Sequence, residues 1–206
     1  MPWVTKSGTE IYDGTEVVCW DLDSSVRSTV HRRHMLPKIR AGQANWDDYS
    51  MLAADDTPIA GSVALMKLME DAYWNIAVSG ASGAALDLTR AWAEKHDVPL
   101  DDYILRPAGD TTENGIFKVG VVRKLQAAGL VVVLFVEDWE PAARRIAEET
   151  GVPVLGINPF DADAATITQD ELREVLEHQF YEGSYVGGAE LAVNVFTELK
   201  KRRKGV

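Results

Sequence analysis

The chain has 206 residues, 46% hydrophobic and 26% charged, which supplies ample apolar material for one core. Its formal net charge of -11 argues against a protein that coats nucleic acid non-specifically. A single cysteine, Cys19, excludes an internal disulfide and fits a reducing compartment, and no apolar run nears the roughly 20 residues that span a bilayer.

In chain order, the opening Met-Pro-Trp-Val-Thr-Lys carries no apolar stretch, so no secretory signal is expected. A strand is predicted over Glu16–Leu22, with Cys19 as a small core residue. Thr29–Pro58 reads as a small helical insert. Helices are predicted at Ser62–Ala72 and Gly83–His96, where Val63, Met66 and Met69, and then Ala85, Leu88 and Trp92, recur at helical spacing. Further helices are expected at Gly115–Ala128 and Pro141–Thr150, the latter with Pro141 in its first turn and Gly151 as its stop. Between them lie candidate strands Trp74–Ser79, Tyr103–Arg106, Leu130–Val136 and Val152–Ile157.

The run Leu130–Val136 is too uniformly apolar for a strand with one wet face, so burial on both faces is expected. Alternating strands and helices then imply an α/β, doubly wound and mostly parallel sheet of the Rossmann-like kind. The expected organisation is a core at 1–160 with the insert at about 29–58. A helical extension at 161–206 ends in Lys200-Lys201-Arg202-Arg203-Lys204. That basic run reads as a solvated helix end suited to the helix dipole, or as a tether for a polyanion. Trp3, Trp20, Trp74, Trp92 and Trp139 read as packing residues. Asp55-Asp56 and Asp101-Asp102 read as solvated loop acids.

In such sheets ligands bind beyond the carboxyl ends of the strands. Asp21 and Asp23 follow the first strand and share a face if the strand continues. Two converging carboxylates repel, and a bound Mg²⁺ is the simplest neutraliser. Ser79 leads through Gly80-Ala81-Ser82-Gly83 into a helix, an arrangement expected to bind an anion through a hydroxyl and free N–H groups. Lys118, among Ile116, Phe117 and Val119, needs an anionic partner. Glu137-Asp138 closes the most buried strand.

These four elements, in this order, resemble the haloacid dehalogenase-like phosphatase superfamily over about residues 16–158. The matches are Asp21-Leu22-Asp23-Ser24-Ser25-Val26, Ser79, Lys118 and Glu137-Asp138. Several segments are similar to the phosphatase half of phage-type polynucleotide kinase-phosphatases. They are His31-Arg32-Arg33-His34, Asn45-Trp46-Asp47-Asp48-Tyr49, Asp55-Asp56-Thr57-Pro58 and Leu105-Arg106-Pro107-Ala108-Gly109-Asp110. The sequence contains no Walker-type phosphate loop, so it holds no kinase half.

The resemblance implies Asp21 as nucleophile, Asp23 as general acid and base, and Ser79 and Lys118 as holders of the phosphoryl oxygens. Ser25, Gly80 and Arg33 would touch substrate, a nucleic-acid 3′-phosphate end or a nucleotide. Asp21, Asp23, Asp138 and Glu137 would serve Mg²⁺, with Glu137 orienting either Lys118 or a metal-bound water. It also implies a cytoplasmic setting, that of the host for a phage-encoded chain, and no membrane partner.

Three departures stand out. Ser24 replaces a glycine, Ala81 replaces an arginine, and Glu137 replaces an aspartate. A phosphate- or nucleotide-binding module without turnover is therefore the alternative to an enzyme. An interaction protein using its basic tail is the third reading. Either His31, Arg32, Arg33 and Arg40 of the insert meet phosphates, with Trp46 or Tyr49 stacking on a base, or these cations are solvated and the two rings pack the insert onto the core.

Overall fold

The computed structural model describes residues 3–5 and 8–157. The expected extension at 161–206 and its basic run lie outside the described residues. A short antiparallel ribbon, β1 (Trp3–Val4) and β2 (Glu10–Ile11), precedes the first core strand, β3 (Glu16–Trp20). The expected insert follows. It is bracketed by the paired strands β4 (Arg27–Ser28) and β5 (Thr57–Pro58). Between these lie a 3₁₀ turn at Val30–Met35, α1 (Leu36–Arg40), α2 (Trp46–Met51) and a second turn at Leu52–Asp55.

The rest alternates as predicted: α3 (Ala60–Met69), β6 (Trp74–Ser82), α4 (Leu86–Lys95), β7 (Asp102–Arg106), α5 (Asn114–Ala127), β8 (Val131–Glu137), α6 (Glu140–Thr150) and β9 (Val154–Gly156). The five core strands form one wholly parallel sheet in the order β7-β6-β3-β8-β9.

Strand alternation builds two cores from that sheet. Val18 and Trp20 point to one face, where Met66 of α3 and Trp92 and Ala93 of α4 cover them. Val17 and Cys19 point to the other, covered by Val119, Val122 and Leu125 of α5 and Ile146 of α6. All four β3 side chains just named are fully buried, as a parallel sheet covered on both faces requires. Cys19 is part of the core, and burial pushes its thiol far up from the ordinary range, as expected of a packing residue.

The insert is docked firmly. Within it Asn45 and Asp48 form a reciprocal capping box on α2. The Ser50 hydroxyl of that helix accepts the Ser82 N–H of β6 at 3.0 Å. Among the described residues no helix is long and apolar enough to cross a membrane.

Candidate active site

The turn after β3 is wound tightly around one carbonyl. Leu22 O accepts the N–H groups of Ser25, Val26 and Arg27 at 3.3, 2.9 and 2.9 Å. The winding forces Ser24 into the left-handed region, with φ of 70°. Here the expected glycine position is occupied by serine, and the backbone angle that favours glycine is retained. Ser24→Gly is therefore expected to stabilise the fold by about 0.5–1 kcal/mol, read as a raised midpoint in urea unfolding. A lowered midpoint would mean that the Ser24 hydroxyl, 3.2 Å from that of Thr29, matters more than the strain.

Asp21 continues the β3 ladder by donating its N–H to Val136 O at 2.9 Å, which sets its side chain beside the end of β8. Lys118, fully buried in the second turn of α5, bridges the two strand ends. Its Nζ lies 2.7 Å from Asp21 Oδ1 and 2.5 Å from Glu137 Oε2. Burial works against its charge, but the two carboxylates outweigh it and hold the ammonium above its ordinary pKa. The other Glu137 oxygen accepts the Trp139 N–H at 3.1 Å. Both oxygens of Glu137 are thus engaged, which fits a residue that orients Lys118. The Ser25 hydroxyl sits 3.4 Å from both Asp21 Oδ2 and Asp138 Oδ1.

Carboxylate oxygens of Asp21, Glu137 and Asp138 lie within 4.8 Å of one another. Burial, with the Asp21 charge adding to it, pushes Glu137 up to about 8 and Asp138 up to about 7. With all three carboxylates ionised, Lys118 would balance one and leave two negative charges for a cation to offset. An all-oxygen donor set with that charge fits a small divalent cation such as Mg²⁺.

Asp23 is placed differently from its expected role. Its Oδ1 accepts from Arg27 Nε and Arg32 Nη2, each at 2.7 Å. Burial favours its neutral form, but the two guanidiniums prevail and hold its carboxyl below the ordinary range. Both arginines are fully buried and share Asp56, which Arg32 grips through two bonds of 3.0 and 2.6 Å. Arg32 also donates to Tyr49 O at 3.2 Å and lies 4.3 Å from the centre of that ring.

Several expectations are corrected here. Arg32 is an internal counter-ion, because its whole guanidinium is spent on Asp23, Asp56 and Tyr49. Tyr49 is buried beneath it, and only Trp46 is open, edge-on to Tyr49. Asp56 and Asp102 are buried, not solvated: Asp102 accepts the Trp3 indole N–H at 3.1 Å. Arg33 is half-buried in the Val30–Met35 turn, while His31 and Arg40 are exposed.

The expected anion site after Ser79 is also changed. β6 runs past its expected end at Ser79 to Ser82, and a 3₁₀ turn at Gly83–Ala85 then leads into α4, at the expected helix start. The Ser79 hydroxyl turns back to accept the Ala81 N–H at 3.3 Å, and Ser82 accepts that of Ala84 at 3.2 Å. Arg106 holds the segment extended by donating twice to Gly80 O, at 2.6 and 3.1 Å. A Cβ at Gly80 would stand 2.3 Å from Asn114 Oδ1, so that side chain would have to shift to admit one.

No family model and no curated protein matches the chain. Among solved structures, the Pnkp1/Rnl/Hen1 RNA repair complex is similar, with a TM-score of 0.58 at 16% identity over 71% of this chain and 45% of that one. A second structure of the Pnkp1/Rnl/Hen1 complex gives 0.59 at 16% identity over 74% and 49%. A haloacid dehalogenase-superfamily hydrolase of Geobacter sulfurreducens also matches, at 0.46 and 16% identity over 71% and 90%. The chain spans less than half the length of the Pnkp1/Rnl/Hen1 chains it resembles. At such identities the likeness is one of fold. The fold is a Rossmann-like α/β core around a wholly parallel five-stranded sheet, similar to that of the Pnkp1/Rnl/Hen1 chains.

Proposed function

We propose that the chain is a Mg²⁺-dependent phosphomonoester hydrolase acting through an aspartyl-phosphate, on a nucleic-acid 3′-phosphate end or a nucleotide. The observation that carries this reading is the convergence of Asp21, Lys118, Glu137 and Asp138 at the carboxyl ends of β3 and β8.

In the first half-reaction an Asp21 oxygen attacks phosphorus and the bond to the leaving alkoxide breaks. Lys118 is positioned by Glu137 to meet the growing charge on the phosphoryl oxygens. In the second, water attacks the phospho-Asp21 and orthophosphate departs. Asp23, kept ionised by Arg27 and Arg32, is suited to take the proton of that water. Protonating the leaving alkoxide asks Asp23 to carry a proton that the arginines disfavour, so the acid half of its role rests on the resemblance alone. Asp21, Asp138 and the Asp23 backbone carbonyl would hold Mg²⁺, which when bound offsets anionic repulsion between nucleophile and phosphate.

The test is release of orthophosphate from p-nitrophenyl phosphate and from a 3′-phosphorylated oligonucleotide, with Mg²⁺ and with chelator. Metal-dependent release is the expected result. Mg²⁺ binding without release from any member of a broad phosphomonoester panel would instead establish the binding module, the reading favoured by the clamped Asp23.

A further inference from the structure

Trp139 breaks two local rules at the edge of the site. It occupies the N-cap of α6 without any side-chain capping bond, where Ser, Thr, Asp or Asn would satisfy a free N–H. It is also 43% exposed, whereas Trp20 and Trp92 are buried with their indole N–H groups bonded to Asn75 Oδ1 and Asp56 O. Among the described residues Trp139 has neither an indole hydrogen-bond partner nor a ring partner. A sequence that violates capping and burial preferences together commonly does so for function.

The mount of this indole is rigid. The Trp139 backbone N–H goes to Glu137 Oε1, and the Trp139 carbonyl accepts the N–H groups of Ala142 and Ala143, each at 3.0 Å. It directly follows Asp138, whose carboxylate lies within 4.8 Å of the Asp21 oxygen. The first turns of α5 and α6 meet nearby, where a Cβ on Gly115 would stand 3.4 Å from Ala142 Cα. Ile116, in that same turn of α5, is 51% exposed. The ring of a nucleotide is tied to its phosphate through a single sugar, so it must rest close to the carboxylate cluster when the phosphate is seated at Asp21.

We propose that Trp139 is a stacking platform for the nucleobase of the nucleotide whose phosphate ester is cleaved. This deepens the phosphatase reading and rests on it. A flat indole on a fixed backbone takes any base by its π-face, so it confers preference for nucleotides over sugar phosphates without choosing among bases.

The test uses the full chain carrying Asp21→Asn to prevent turnover, in Mg²⁺, with equilibrium dialysis of two probes. Thymidine 3′-monophosphate is expected to bind roughly 5- to 150-fold tighter than 1,2-dideoxyribose 3-phosphate, the equivalent of about 1–3 kcal/mol of stacking. Trp139→Ser should erase that advantage and Trp139→Phe should keep most of it. Because serine is the better cap, Trp139→Ser should melt no lower than its parent. Equal binding of the two probes, binding of neither, or an advantage that survives Trp139→Ser overturns the proposal. A lowered melting temperature for Trp139→Ser does so too, since it would mark the indole as packing. Release from p-nitrophenyl phosphate by the chain with Asp21 intact decides the phosphatase reading separately.

Discussion

Asp21→Asn is expected to cut Mg²⁺-dependent phosphoester hydrolysis by at least about 10³-fold while leaving the protein folded. The amide keeps the shape of the carboxylate but has no lone pair basic enough to displace an alkoxide. The fold should tolerate the change because Lys118 retains Glu137 at 2.5 Å, and one of three crowded negative charges disappears. Relief of that crowding acts against the lost Lys118–Asp21 contact, so the two changes in stability should cancel to within about 1 kcal/mol. Orthophosphate release measures the first effect and urea unfolding the second. Full activity in Asp21→Asn would remove the nucleophile from the proposed mechanism. Loss of activity with gross unfolding would make Asp21 a structural residue.

Arg32→Ala is expected to be the most damaging single change to stability, by roughly 3–5 kcal/mol. Arg32 is fully buried, and its removal leaves Asp56, also fully buried, with only Arg27 at 3.2 Å and the half-open His31 at 3.3 Å. Burial already pushes the Asp56 carboxyl up against the pull of Arg32, so its loss leaves an ill-compensated charge inside the protein. The Tyr49 ring loses the guanidinium it faces, and Tyr49 O loses its donor. Asp23 keeps only Arg27, so activity should fall alongside stability. Urea unfolding checks the magnitude. A cost below about 1 kcal/mol would show the pair to be no better than an exposed one.

The sheet was legible because its signal is local. Val17 to Trp20 and Val131 to Val136 are apolar at consecutive positions, which only a doubly covered strand explains, and the helices between them carry their own periodicity. One rule led to Asp21, Glu137 and Asp138: polar residues gather at the carboxyl ends of parallel strands. Lys118 was expected only to seek an anionic partner, and the structure sets it against Asp21 and Glu137. Asp56 was not legible, since in sequence it is one of two adjacent acids beside a proline. Its burial depends on β4 and β5 closing the insert on itself, a pairing of two residues on each strand that no periodicity announces. Arg27, four residues beyond Asp23, was the available clue to an ion pair there. The Ser79 segment misled for a different reason. Gly80-Ala81-Ser82 looks like a loop leaving the strand, but Arg106 reaches across from β7 and keeps it extended. The strand therefore runs to Ser82, and the helical turns start at Gly83, where they were expected.

The docked insert carries one more consequence. Arg32 fastens it to Asp23 and Ser50 fastens it to Ser82, so it is held in place and is not a hinged cover. An active site with a closing door can dry itself around any guest. Here Asp21 is only 4% exposed before anything binds, so much of that drying is done by the fold in advance. In the proposed mechanism small and large phosphate esters alike would meet a nucleophile that is already sheltered, with no closing motion to wait for.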